Sequence, residues 1–414
     1  MEKRKVTYRL YPSRAQRERL DALLVSHQQL YNAALQERIE AWRKCGTSIS
    51  YRDQCSSLTE IRRHDLDWSS VNCSSQQMTL RRLDQAFKAF FRRVKSGQAP
   101  GFPRFKSRQR FPGFSYKGHG DGWRFTPVSG RRRRSDGSEQ AIWRHGHLRL
   151  AGVGTIKARG QTPHIGAICA SNVFHRGGEW YLSLTVSPKT IERKRTADKA
   201  GGFDWGVEML LAVAYDKGGD DIGNPRIGRT DTDRITALQQ AVSSKQRGSN
   251  RRRKAAARLG SAKRHQTNRR LDHQHQITAR IAAEHALVAI EKITTRNMTR
   301  SARGTAEAPG RNVKQKAGLN REILDTAPGR LYQMLRYKVT ETGGWFIETP
   351  TRQLKPSQRC PACWQVRKKT LSEREHACPC GHSESRDRAS ARVNLLWAHR
   401  QASGRESAET GSVL

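Results

Sequence analysis

The chain has 414 residues, more than one hydrophobic core fills, which predicts two or three domains. Its 78 Lys and Arg against 37 Asp and Glu give a formal net charge of +41, which calls for a polyanionic partner. No stretch reaches transmembrane length, the start MEKRKVTYRLYP has no signal-peptide apolar core, and the basic runs RRRR at 131–134 and RRRK at 251–254 lack an amphipathic apolar face. These features point away from membranes and towards nucleic acid, in a cytoplasmic protein. Of the cysteines, Cys45, Cys55, Cys73 and Cys169 are scattered and read as ordinary thiols of a reducing compartment, while Cys360, Cys363, Cys378 and Cys380 are bunched.

Along the chain, Val6, Tyr8 and Leu10 alternate with Lys5, Thr7 and Arg9, the period of a half-buried strand that Pro12 ends. Ser13 with Gln16 is a capping-box signature, and Leu20, Leu24, Tyr31 and Leu35 then recur at helical spacing. Leu80, Leu83, Phe87, Phe90, Phe91 and Val94 predict another helix. The basic loop GQAPGFPRFKSRQRF at 97–111 interleaves Phe102, Phe105 and Phe111 with Arg104, Lys106 and Arg108: the rings either stack bases or pin the loop to a core. From about 120 to 190 short alternating strands predict an antiparallel β segment, a small barrel completed by the N-terminal strand, with Gly177-Gly178 as a hairpin turn. RRRRSDGSEQ at 131–140 reads as a mobile surface loop, and the charged, aperiodic stretch ending at 200 as a linker, taken as 191–200.

Beyond it, GGFDWGVEMLLAVAYDKGG predicts a pair of strands, and a basic helical region follows to about 285. EHALVAIEKI at 284–293 and GGWFIETP at 343–350 are strand-like runs. Strands separated by helices predict a mixed α/β sheet. RGSNRRRKAAARLGSAKRHQTNRR at 247–270 reads as a charged helical hairpin whose Arg251, Arg252 and Arg253 contact nucleic acid.

Asp204 interrupts one of the most apolar runs of the chain, Glu291 ends LVAIE, and Asp387 stands near the start of a predicted helix. Singly they read as a turn residue, a partner of Lys292 and a helix cap. Together, on the rim of one sheet in a strongly basic protein, they would hold two Mg²⁺ ions for phosphodiester hydrolysis. CPAC at 360–363 and CPCG at 378–381 would present four thiolates to one structural Zn²⁺, with His376 or His382 able to replace a ligand because the second pair is short by one residue.

DWG at 204–206, IEK at 290–292, SQRCPAC at 357–363 and RDRASARVN at 386–394 resemble the split RuvC nuclease motifs of TnpB, the transposon-encoded ancestor of type V CRISPR effectors. YRLYPSRAQ, LYNAALQERIEAW, LDQAFKAFFRRVKSG and GFPRFKSR extend the likeness over nearly the whole chain. The third motif departs from the family, with Ser385-Arg386-Asp387 where Asp-Arg-Asp is common and Arg-Ala-Ser-Ala in place of its Asn. The resemblance implies a multidomain α+β protein: a β-barrel wedge domain over 1–12 and 118–190, an inserted helical recognition domain over 13–117, an RNase H-like RuvC domain over 201–356 and 382–414, and a zinc ribbon over 357–381. It implies an RNA-guided DNA endonuclease with a transposon-end guide RNA and a double-stranded DNA target, in which Tyr51 and Gln77 match residues that read the flanking motif. A monomer is expected. The competing expectations are an RNA-guided DNA binder without cleavage and a transposase acting on transposon ends.

Overall fold

The computed structural model describes residues 3–133, 139–188, 197–370 and 372–410. They form two compact units, Met1–Ile191 and Glu192–Leu414.

In the first unit the N-terminal alternation becomes β1 (Arg4–Tyr11), which buries Val6, Tyr8 and Leu10 on one face. Ser13 then opens α1 (Arg14–Cys45) through a capping box with Gln16. A second capping box, Ser50 with Asp53, starts α2 (Tyr51–His64), and α3 (Leu66–Ser70) and α4 (Cys73–Lys95) follow. Leu20, Leu24 and Leu35 of α1 and Leu80 and Leu83 of α4 share one core with the strands.

The strands are β2 (Phe114–Tyr116), β3 (Trp123–Arg133), β4 (Glu139–Leu150), β5 (Gly154–Arg159), β6 (Gly166–Arg176) and β7 (Glu179–Pro188). With β1 they make a seven-stranded antiparallel sheet in the order β2-β6-β7-β1-β5-β4-β3. Gly177 and Gly178, with φ of 63° and 87°, turn β6 into β7; only glycine adopts two such angles without strain.

Two expectations need correction here. Arg131–Arg133 and Glu139–Gln140 are not a surface loop: they extend the β3–β4 hairpin, where Arg133 lies opposite Glu139 and Arg131 pairs with Glu139 at 3.1 Å. Alternating long side chains across a two-stranded ribbon can pair there even with little apolar surface; residues 134–138 lie outside the described residues. Of the expected linker 191–200, residues 191–196 also lie outside them, and Lys199 and Ala200 already belong to a strand.

The second unit begins with that strand, β8 (Lys199–Trp205), followed by β9 (Met209–Ala214) and β10 (Ile222–Gly223). Next come α5 (Ile227–Thr230), α6 (Thr232–Ser243), α7 (Asn250–Glu284), β11 (His285–Glu291), α8 (Thr295–Met298), α9 (Val313–Thr326), α10 (Pro328–Glu341), β12 (Trp345–Thr349) and α11 (Thr351–Leu354). The sheet order is β10-β9-β8-β11-β12, with β8, β11 and β12 mutually parallel. Val288 and Ile290 of β11 pack with Leu331 and Leu335 of α10 in its core. The expected hairpin within 247–270 is absent: α7 is one 35-residue helix capped by Ser249, and the turn falls before it, between α6 and α7. Basic residues with good helix propensity carry the helix straight through Gly260.

β13 (Glu375–Ala377) and β14 (Ser383–Ser385) form a small antiparallel pair, so strand structure continues past the expected ribbon limit of 381. α12 (Arg386–Thr410) follows at once and lies against β8. The contact is close enough that a Cβ on Gly202 would stand 1.9 Å from the Ala391 carbonyl oxygen. This explains one glycine of the GGFDWG run. Among the described residues, no helix is long and apolar enough to cross a membrane.

Candidate active site

β8 and β11 are parallel neighbours with Phe203 opposite Ile290, so Asp204 and Glu291 leave the sheet at the same rim. Asp387, the second residue of α12, reaches that rim from the helix packed on β8. Asp204, Glu291 and Asp387 are each half-buried residues. Burial pushes Asp204 well above the usual carboxylate range, and the charges of Glu291 and Asp387 push it further. A hydrogen bond from Ser390 Oγ to Asp204 Oδ1, 3.0 Å long, and the nearby Arg386 act in the opposite sense. Glu291 is pushed up to about 7, by burial first and then by Asp387. Acids that disfavour each other's charged forms in a place short of water favour a cation between them. Hard oxygen donors of this kind fit Mg²⁺.

The rim is braced from beneath. Asn394 of α12 donates through Nδ2 to the Phe203 carbonyl at 3.1 Å and accepts through Oδ1 from Thr349 Oγ1 at 2.7 Å. One buried amide therefore links the helix to β8 and β12 beside the acids. Tyr332 of α10 is buried near Glu291 and Asp204, and its hydroxyl has no hydrogen-bond partner among the described residues. Ser390, Asn394, Thr349 and Tyr332 were not singled out from the sequence. Ser390 and Asn394 stand three and seven residues after Asp387, hence on its helix face, a spacing that could have found them.

The four bunched cysteines converge: their sulfurs lie within 4.8 Å of one another, the only such donor cluster among the described residues. Cys360 and Cys380 are 3.7 Å apart and Cys363 and Cys378 3.5 Å. Sulfurs at about 2.3 Å from a tetrahedral ion stand roughly 3.8 Å apart, so the donor set fits zinc. His382 is engaged with Glu384 at 2.8 Å, and His376 contacts Lys369. The ribbon is tied to α12 twice: Trp364 lies between Arg359 and Arg400, at 5.2 and 4.3 Å from its ring centre, and Arg392 bonds both Glu384 at 3.1 Å and the Tyr215 carbonyl at 2.7 Å.

The basic candidates divide. Arg104 is exposed, whereas Lys106 has its backbone held by Asn32 and Gln28, and Arg108 pairs with Asp21 at 3.2 Å. Phe111 is buried and pins the loop, while Phe102 and Phe105 remain exposed. Arg251 and Arg253 are exposed on α7. Arg252 instead bonds the Val242 and Lys245 carbonyls at 2.8 and 2.9 Å, closing the end of α6. Tyr51, the first residue of α2, packs on the core with its phenol pushed up to about 12 by burial, and Gln77 is half-buried on α4.

A Streptomyces pristinaespiralis protein named "Putative RNA-guided DNA endonuclease" is 30% identical over 424 residues, covering 99% of this chain and 94% of the relative. The chain belongs to the TnpB family. A second TnpB-type relative, "Putative RNA-guided DNA endonuclease InsQ" of Escherichia coli K12, is 26% identical over 93% of this chain and 90% of its own. A family model described as "Probable transposase" matches residues 183–302, which hold Asp204 and Glu291, and one described as "Cas12f1-like, TNB domain" matches 329–394, which hold the cysteines and Asp387. A "Helix-turn-helix domain" model matches 1–47, a segment that folds here as β1 and the single 32-residue helix α1. The solved mini-RNA-guided endonuclease CRISPR-Cas_phi3 shares the fold at a TM-score of 0.51 and 10% identity, over 95% of this chain and 92% of that one.

Proposed function

We infer that this TnpB-family protein is an RNA-guided DNA endonuclease that hydrolyses phosphodiesters at the rim formed by Asp204, Glu291 and Asp387. The observation that carries the reading is the arrival of three acids at one rim from two parallel strands and a helix, where burial and the neighbouring acids raise Asp204 and Glu291. They would hold two Mg²⁺ ions, which when bound supply water activation and stabilisation of the leaving oxygen. Ser390 fixes the orientation of Asp204, and Asn394 with Thr349 fixes the strand ends from which the acids project. The four cysteines would hold a structural Zn²⁺, and through Trp364 and Arg392 the ribbon anchors the helix that carries Asp387.

In this reading the seven-stranded sheet is the wedge domain, α1 to α4 the recognition domain, the five-stranded sheet with its helices the RuvC domain, and the cysteine segment a zinc ribbon. The +41 charge supports a guide RNA and a DNA target as partners, in the cytoplasm beside the nucleoid. Arg104, Arg251 and Arg253, exposed, would contact backbone phosphates, and Tyr51 and Gln77 lie in the proposed recognition helices. One chain supplies all three acids, which supports a monomer. Asp204→Asn, Glu291→Gln and Asp387→Asn should each abolish cleavage of a guide-matched DNA while RNA and DNA binding persist. Cleavage surviving any of the three would remove that acid from the site.

A further inference from the structure

The helices of the first unit enclose a cavity of about 470 Å³ that neither the acids nor the cysteines use. Ligand pockets typically span about 300–1,000 Å³. Its walls come from Ile39 and Trp42 of α1, Phe87, Phe90 and Phe91 of α4, and Phe102 of the basic loop. Phe102 meets Phe87 and Phe90 edge to face, at centroid distances of 5.6 and 5.3 Å, so the loop is folded into this wall and does not merely pass over it.

Three of the rings are presented to solvent, Phe102 at 48% and two others more fully. Trp42 is 65% exposed and Phe91 55%, an unusual amount of aromatic surface to leave together. The rim is basic: Arg43 lines the cavity and forms no ion pair among the described residues, and Arg92 and Arg93 stand exposed beside Phe91. Arg38 lies over Phe87 at 5.1 Å, with its charge shared by Asp84 at 3.7 Å. A second copy of this chain would bring a rim of the same sign and another +41 of charge against the first, which electrostatic complementarity disfavours. An apolar peptide would fill the rings and leave the arginines unanswered. A flat apolar ring attached to a phosphate satisfies both parts of the site.

We propose that this cavity binds an unpaired nucleobase of a bound nucleic-acid strand, stacked on Trp42 and Phe91, with Arg43 meeting the adjoining phosphate. The proposal rests on the nucleic-acid reading above and adds a site where a base, not only the backbone, is held.

The test measures binding of full-length protein to two 12-mers, oligo(dT) and the same strand abasic throughout, in about 0.3 M salt to suppress backbone attraction. Trp42→Ala should weaken oligo(dT) binding by roughly 5- to 150-fold, the factor for one lost base stack, leave abasic binding unchanged, and be rescued by Trp42→Phe. Oligo(dT) carrying 5-iododeoxyuridine should cross-link on irradiation to peptides containing residues 42–49 or 87–102. An equal loss on both strands, no loss, or cross-links only elsewhere would overturn the proposal. So would a change from dimer to monomer in Trp42→Ala on sedimentation, which would make a second copy the occupant. Guided cleavage by the wild type is scored separately, so a failed base site and a failed nuclease reading give different results. Matching thermal melts of the variants keep misfolding from counting as either.

Discussion

His27 shows what burial does to a single titratable group in this protein. Its ring is 1% exposed, contacts Thr79 Oγ1 at 2.9 Å and Ser75 Oγ at 3.2 Å, and stacks on Phe114. Burial, aided by the charge of Arg82, pushes it down to about 3. The folded state therefore keeps His27 neutral where the unfolded chain binds a proton, so its contribution to stability is present above about 6.5 and is lost as the pH falls towards 3. Urea unfolding between pH 7 and 4 should show that decline, and His27→Gln should flatten it; parallel slopes would contradict the assignment. Ser390 is the corresponding residue at the acid rim. Removing its hydroxyl in Ser390→Ala should slow cleavage about 10-fold, the scale of one hydrogen bond to a charged group, with guide-RNA affinity unchanged. The three acids stood out in the sequence because each is a charge beside an apolar strand or helix start. Ser390 did not, because a serine on a helix looks ordinary until the partner it faces is known.

Between elements, the contact of α12 with β8 sets the acid geometry. Gly202→Ala would drive a methyl into the Ala391 carbonyl and should cost about 1–3 kcal/mol or more in stability, read as a lower thermal midpoint together with lost cleavage. Asn394→Ala would remove the amide that joins the Phe203 carbonyl to the Thr349 hydroxyl, leaving that hydroxyl only its 3.4 Å bond to the Ile290 carbonyl, at about 1–3 kcal/mol in all. On α7, neutralising Arg251 and Arg253 together should reduce the salt-dependence slope of nucleic-acid binding by roughly 1.5, whereas neutralising Arg252 should loosen the α6–α7 turn. Strands with clean alternation or dense Val and Ile, such as β1 and β11, were legible from sequence, as was the Ser13 cap. The β3–β4 extension was not: its arginines look like a loop, and their pairing with the opposite strand is a property of the hairpin. Nor was the unbroken α7, where a basic run with Gly260 imitates a turn.

At the scale of the whole molecule, the cysteine segment separates Glu291 from Asp387 in sequence yet braces the helix that returns Asp387 to the rim. Purified protein should carry about one zinc per chain, and Cys360→Ser should lose it and lower the melting temperature of the second unit; full stability without metal would refute the structural role. Spacing revealed the cysteine cluster because metal ligands are local in sequence. The aromatic cavity was invisible, since Trp42, Phe91 and Phe102 come from three separate elements. The central claim is that one basic chain joins a guide RNA to a three-acid cutting site. It is tested most directly by purifying the protein from cells that carry its native flanking DNA, sequencing the RNA that accompanies it, and incubating the complex with a matching plasmid and Mg²⁺. Cleavage that requires both the RNA and Asp204 is the predicted result. A defined RNA without cleavage, or cleavage that persists in Asp204→Asn, would contradict it.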